Sequence, residues 1–378
     1  ADSQVYSDFL GDVRIQSITI DDPLPEAYPS WQIWPRVSGH TVLGDMVIFP
    51  GAVVWESSDP SIILVDGTNV LRVRNPGTVT LTAHFGTHIA SRVFTVTAPV
   101  RAIEEPSIPE ITAIPAYGFA REIPVLSLRF IPTSDGVNID AVRAGSDGTV
   151  SDTVAWIDRI EAETKFMLEE GSRYRGYSDS GVRPALGYRV VRVVNIFEPL
   201  PPDESLDHPT GTPGVSFPDY RSLLERVDLQ DMVYNLGVRE VWVWGYHSGN
   251  IAPVESNMAS PITGDISNSN RYADDLPIYN HTYTLYNYNW TRSSSESVHN
   301  HGHQFEALFS HVANLQDGST DLFWKRFVGQ DNDGNFVTGR CGWTHMPPNT
   351  TDHYDYTHTA VVPSVRSSAL VDQAIGPV

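Results

Sequence analysis

The sequence predicts a multidomain chain: an all-β sandwich at the N-terminus, then an α/β unit in which helices pack on a mixed sheet. Three observations carry that reading. The chain has 378 residues, more than one hydrophobic core usually serves. Up to residue 98 it is a run of short, evenly spaced β-type segments separated by turn signals. Beyond residue 125, β-type and helical periodicities alternate. The expected division is 1–98 for the sandwich, 99–124 for a linker and 125–378 for the α/β unit.

In the first unit the β-type segments are Val13–Ile20, Thr41–Leu43, Val53–Trp55, Ile62–Val65, Val70–Val73, Thr78–Ala83 and Val93–Thr97. Asp59-Pro60, Asp66-Gly67 and Asn75-Pro76-Gly77 separate them, residue types that set turn dihedrals. Alternation with period two implies a sandwich with one face of each strand inward. Prolines and acidic residues between Pro99 and Pro124 mark a stiff linker or a strap over the next unit.

In the second unit Val125–Ile131 reads as a strand, and a helix follows Asp152-Thr153 to stop at Gly171. Tyr188–Phe197 is a second strand, and Pro218-Asp219 opens a second helix that ends at Gly237. Val241–Gly245 is a buried central strand. A polar loop of about 35 residues leads to the strand Tyr283–Trp290. The site helix starts at Ser293.

At 100° per residue, Glu296, His299, His303, Glu306 and Ser310 fall in a stripe roughly 80° wide. Val298, Phe305, Leu308, Phe309 and Val312 fall on the far side and are expected to pack into a core. Two imidazoles one turn apart beside a carboxylate form the arrangement by which a helix chelates a transition metal. Ser293 and Glu296 also fit a capping box, a purely structural reading of Glu296.

Eight of the 13 histidines lie beyond residue 280, which places the site there. Downstream, Cys341-Gly342-Trp343-Thr344-His345-Met346-Pro347-Pro348-Asn349 presents His345 in a proline-braced loop as a third donor. Asp331, Asp333 and Asn335 alternate as calcium-loop oxygens do, but Asn335 is not followed by Gly, and a hairpin turn is the competing reading.

A formal charge of −21 argues against nucleic acid as a partner, and no apolar run is long enough for membrane insertion. The lone Cys341 excludes an intrachain disulfide and a Cys-rich zinc site. The chain opens Ala1-Asp2-Ser3 without Met, as chains do after signal-peptide removal, so a secreted or cell-surface location is expected. No nucleophile elbow, P-loop or dinucleotide fingerprint is present.

Two resemblances add to this reading. Val54–Ser61, Val65-Asp66 and Gly77–Ala83 resemble the group 2 bacterial immunoglobulin-like domains, modules of exported proteins, which makes the sandwich Ig-like. The element order of the second unit and the run His299-Asn300-His301-Gly302-His303 resemble the zincin metallopeptidases, whose motif is His-Glu-x-x-His. That resemblance implies a zincin-like fold with His299 and His303 as ligands of a divalent metal, zinc being the one expected. It departs at the second position, where Asn300 cannot accept a proton, and at the metzincin third-ligand position, which is Phe309.

The expected function is therefore an exported metal-dependent hydrolase of a peptide or related extracellular polymer. His299, His303 and His345 are its candidate ligands, and Glu306 or Glu255 is the catalytic carboxylate. Glu306 is also a possible third ligand, in place of His345. A rival reading pairs Glu255 with Glu306 as the acid and base of a glycoside hydrolase, with Trp242, Trp244, Tyr246, Tyr283, Tyr286, Tyr288 and Trp290 stacking on a polysaccharide. A third is a non-enzymatic surface protein that binds peptide or glycan with a degenerate hydrolase domain.

Overall fold

Among the described residues nine short strands occupy the N-terminal part: β1 (Ser17–Ile20), β2 (Gln32–Ile33), β3 (Val37–Thr41), β4 (Gly44–Val47), β5 (Val54–Ser57), β6 (Ile63–Val65), β7 (Leu71–Val73), β8 (Gly77–Phe85) and β9 (His88–Val96). This computed structural model describes residues 15–21, 27–29, 31–33, 35–42, 44–48, 52–67, 69–98, 103–106, 121–173, 181–207, 215–247, 251–264, 266, 275–330 and 342–346. The nine strands pair antiparallel in three sheets, ordered β1-β3-β4, β2-β7-β6 and β5-β8-β9. Alternation decides which face is inward: Val79, Leu81 and Ala83 of β8 are buried while the intervening threonines are not. With Trp31, Trp55, Ile63 and Leu71 they form a core separate from the rest of the chain. Glu104 exchanges backbone hydrogen bonds with Asn195 at 3.0 and 2.8 Å, and Glu105 pairs with Arg192.

The rest of the chain is mixed α and β. β10 (Arg121–Phe130) is followed by the short α1 (Ala141–Ala144) and the long α2 (Val150–Gly171). Then come β11 (Leu186–Ile196), the hairpin pair β12 (Pro202–Asp207) and β13 (Ser216–Pro218), α3 (Tyr220–Arg226), α4 (Leu229–Asp231), β14 (Glu240–Gly245), β15 (Ser256–Ala259), β16 (Tyr283–Asn289) and α5 (Ser294–Asp317). The five-stranded sheet runs β11-β10-β14-β16-β15. Its first four strands are parallel, and β15 is antiparallel at the edge. Every residue of β14 is buried, as expected of a central parallel strand covered on both faces. Arg129, 2 % exposed, pairs with Asp158 and Glu161 and ties α2 to the sheet.

Three expectations need correction. The helix anticipated from Pro218 to Gly237 is broken at Asp228, which takes a left-handed φ of 53°, and ends as a π-helical turn over Met232–Leu236. The polar loop before β16 contains a strand, β15, formed by pairing with Tyr283–Tyr286. The third concerns α5, whose apolar face does not pack inward: Phe305, Phe309 and Val312 are 41 %, 48 % and 46 % exposed.

It is the polar face of α5 that lies on the sheet, where Asn300, His301 and Gln304 each make a hydrogen bond, although His301 Nδ1 has none among the described residues. Asn300 Nδ2 donates to Asn287 O at 2.8 Å, and Gln304 Nε2 donates to Ile266 O at 2.9 Å. Ser256 Oγ donates to Gln304 Oε1 at 2.7 Å, and His301 Nε2 lies 2.7 Å from the Tyr288 hydroxyl. Buried polar groups are tolerated when satisfied in this way.

Candidate metal centre

β16 ends at Asn289, and a four-residue turn reverses the chain into α5, so the helix starts at the carboxyl end of the parallel strands. Helical spacing then stacks His299 and His303 one turn apart on the flank of α5, and their Nε2 atoms lie 3.0 Å from each other. The loop Trp343–Met346, closed by two backbone hydrogen bonds between its ends, brings His345 Nε2 to 2.8 Å from that of His303 and 3.3 Å from that of His299. The three nitrogens form a small triangle. With zinc–nitrogen bonds of 2.0–2.1 Å, a tetrahedral ion has nitrogen–nitrogen edges of about 3.3 Å, so the triangle has the size of one ligand face.

A carboxylate fixes the ring that holds the triangle together. Glu306 Oε2 accepts from His303 Nδ1 at 2.9 Å, and Oε1 accepts from the Thr344 backbone N–H at 2.6 Å. A carboxylate accepts only, so the His303 proton sits on Nδ1 and the Nε2 lone pair faces the other two rings. Glu306 therefore orients a donor and pins the loop carrying the third. Burial pushes the Glu306 pKa up, but the hydrogen bonds from His303 and Thr344 outweigh it and the net shift is downward. Burial also pulls His303 down, yet the Glu306 bond and the charges of Glu255 and Glu306 leave it raised. His299 falls to about 4, through burial first and then the charges of His303 and His345, so it is a neutral donor near pH 7.

Gly302 explains how the loop comes so close. A Cβ at that position would lie 2.5 Å from Thr344 Oγ1. Glu255, immediately before β15, sits over the triangle, with carboxylate oxygens 3.8 Å from His303 Nε2 and 4.0 Å from His299 Nε2. Its side chain is 34 % exposed, the most open of the site carboxylates.

The residues singled out in the sequence thus separate. His299, His303 and His345 converge, with Glu255 above them and Glu306 behind. Glu306, anticipated as a catalytic base or ligand, has both oxygens engaged in positioning. Glu255 and Glu306 address opposite nitrogens of the same His303 ring. The aromatics proposed as sugar platforms are core: Trp242, Trp244, Tyr246, Tyr283, Tyr286, Tyr288 and Trp290 are all at most 3 % exposed. The capping box is not formed either. Ser293 is the N-cap without a side-chain cap bond, and Glu296 turns to Arg292 at 3.1 Å. Asp331, Asp333 and Asn335 lie outside the described residues. The close approach of Thr344 to Gly302 has no signal in the sequence beyond this glycine's match to the one that often precedes the second histidine of the zincin motif.

Comparison with known proteins adds little. No family model matches the chain, and no curated protein matches it. Among solved structures, the C-terminal 282-residue fragment of intimin in complex with the intimin-binding domain of its translocated receptor is 21 % identical, with a TM-score of 0.15, over 21 % of this chain and 30 % of that one. An intimin mutant of EHEC O157:H7 is also 21 % identical, with a TM-score of 0.13, over 21 % of this chain and 40 % of that one. The S-layer protein rSbsC is 13 % identical, with a TM-score of 0.17, over 29 % of this chain and 16 % of that one. The chain therefore spans well under half the length of each. Among the described residues no helix is long and apolar enough to cross a membrane.

Proposed function

We propose that the chain is an exported metal-dependent hydrolase of a peptide or related extracellular polymer. In this reading an Ig-like sandwich (1–98) is joined by a Pro-rich linker (99–124) to a zincin-like catalytic domain (125–378). The observation that carries it is the triangle of His299, His303 and His345 nitrogens, 2.8, 3.0 and 3.3 Å apart, with the middle ring locked by Glu306. Three imidazoles with a carboxylate behind one of them suit zinc, which favours nitrogen donors oriented by outer carboxylates. The succession of β10, α2, β11, α3, β14, β16 and α5 also supports it, being the order on which the zincin resemblance rests.

A divalent metal held by these residues supplies Lewis acidity toward water and a substrate carbonyl. The chain's own contribution is a base. Asn300, at the motif's base position, is 2 % exposed and donates to the Asn287 carbonyl, so it is a fastener between helix and sheet. Glu255 takes over the role from a different element. Its oxygens stand 3.8 and 4.0 Å from the imidazole nitrogens, beyond direct hydrogen-bonding distance and close enough for one water beside them to touch both. From there it receives the water proton.

The test combines metal analysis with hydrolysis of unstructured protein and polysaccharide substrates. The parent is expected to carry one zinc and cleave peptide bonds. His299→Ala with His303→Ala removes zinc and turnover, whereas Glu255→Gln removes turnover and retains zinc. Zinc-free protein, or full turnover by Glu255→Gln, overturns the proposal. Chelator-insensitive polysaccharide cleavage would establish the glycosidase instead. Stoichiometric zinc with no turnover of any polymer would establish a binding protein, the reading that Asn300 favours.

A further inference from the structure

We propose that the outer side of α5, together with the π-helical segment Leu322–Val328 beside it, is a self-association surface on which a second copy of this chain docks through its own matching face. The inference stands apart from the metal-site reading and uses none of its residues.

Helix register builds the surface. Phe305, Phe309, Val312 and Leu315 recur at intervals of four, three and three, which keeps them on the side of α5 that does not lie on the sheet. Phe327 joins them from the π-helical segment, its ring centroid 6.0 Å from that of Phe309, which is in turn 6.3 Å from that of Phe305. Beneath them Phe323, 5 % exposed, lies 5.8 Å from both Phe309 and Phe327 and packs with Ala313 and Val328 in a small core of its own. The exposed rings thus stand on a fixed base. Phe327 is 49 % and Leu315 70 % exposed, and the other three side chains are as open as stated above.

A contiguous apolar face of this kind marks an interaction site on a folded protein. Three observations select a second copy as its occupant. The first is area. A whole phenylalanine side chain presents about 200 Å² and leucine or valine somewhat less, so the five exposed fractions offer roughly 450 Å². A stable homodimer buries about 800 Å² per partner, about 65 % of it apolar, or about 500 Å². The apolar surface on offer is therefore that of one homodimer face. The second is charge. Asp, Glu, Lys and Arg make up 19 % of the chain and leave it at −21, yet the ten residues from Ala307 to Gln316 contain none. Beside them Lys325 is neutralised by Asp321 at 2.9 Å. Two acidic copies repel each other least across this face, and a strongly charged partner finds little on it to pair with. The third is symmetry. A two-fold axis through the face lays each row of rings against its own image, a contact that needs apolar complementarity alone.

The test is sedimentation velocity of the full chain over about 1 to 100 µM, concentrations at which an interface of this size associates. The parent is expected to be dimeric at the upper end. Its dimer should tighten in about 0.5 M sodium chloride, which screens the repulsion between acidic copies and leaves apolar contact in place. Phe309→Glu, Phe327→Glu and Leu315→Glu each set a charge against its own image and should weaken the dimer at least about tenfold. Leu315→Glu, at the most exposed of the five positions, leaves the small core untouched and reports even where the phenylalanine variants melt early. Phe166→Glu on α2, at a position 63 % exposed, is the control and should leave the dimer unchanged. A parent that is monomeric at every concentration overturns the proposal, whatever else the face binds. So does a dimer that survives Leu315→Glu or loosens in salt.

Discussion

Gly302→Ala is the most discriminating single change, because two effects of opposite sign act on different observables. In a helix interior, Ala is favoured over Gly by about 0.5–1 kcal/mol, so metal-free stability is expected to hold or rise. The added Cβ, however, meets Thr344 Oγ1 at 2.5 Å, Cγ2 at 3.2 Å and Cβ at 3.4 Å. Thr344 is short and β-branched, and rotation only exchanges one clashing atom for another. Relief to ordinary contact takes a retreat of about 0.9 Å, the difference between 3.4 and 2.5 Å. That retreat carries His345 with it and strains the 2.6 Å bond from Thr344 N–H to Glu306. Disturbance of outer partners typically costs 10- to 100-fold in metal affinity, about 1.4–2.8 kcal/mol. Zinc affinity is measured by competition with a chromogenic chelator, and stability by thermal melts of the chelated protein. Unchanged affinity in Gly302→Ala would show that the loop does not press on the helix and that His345 is not a ligand.

Three further outcomes follow from the same geometry. Glu306→Gln should weaken zinc about 10- to 100-fold in equilibrium dialysis while Glu255→Gln leaves it nearly unchanged, since only Glu306 orients a ligand. Asn300→Glu, which restores the letter of the zincin motif, should not create a better enzyme. It buries a carboxylate facing the Asn287 carbonyl and should cost at least about 2 kcal/mol in urea unfolding, and a stable, more active variant would contradict the assignment of Asn300. Glu240 is buried beside Trp242 and His301, and burial raises its pKa from 4.5 to about 8. The folded state thus holds this proton more tightly than the unfolded chain. The stability it confers is complete below 4.5 and lost as pH rises through 8. Melting temperature should fall across that window in the parent and fall less in Glu240→Gln; parallel curves would refute the assignment.

Much of the site was legible because helical spacing is rigid. His299, His303 and Glu306 had to share a stripe, and the histidine-rich tail pointed to His345. Glu255 follows the strand Val241–Gly245, and open sheets place functional groups at the carboxyl ends of their strands. What the helix does with its two faces was not legible. Hydrophobicity assigned Phe305, Phe309 and Val312 to the core, but burial went to Asn300, His301 and Gln304, whose partners on Asn287, Tyr288 and Ile266 come from residues 13 to 38 positions away. The edge strand Ser256–Ala259 has no β-type pattern of its own and exists by pairing with β16. The break at Asp228 depends on a single left-handed residue that hydrophobic spacing does not register.

The central claim is that three imidazoles on two elements hold one cation. Crystals grown with zinc and measured on both sides of its absorption edge test it directly. The account predicts one anomalous peak about 2.0–2.1 Å from the Nε2 atoms of His299, His303 and His345. A difference map without a peak there, or a zinc bound to other residues while these three rings keep to their places, would contradict it.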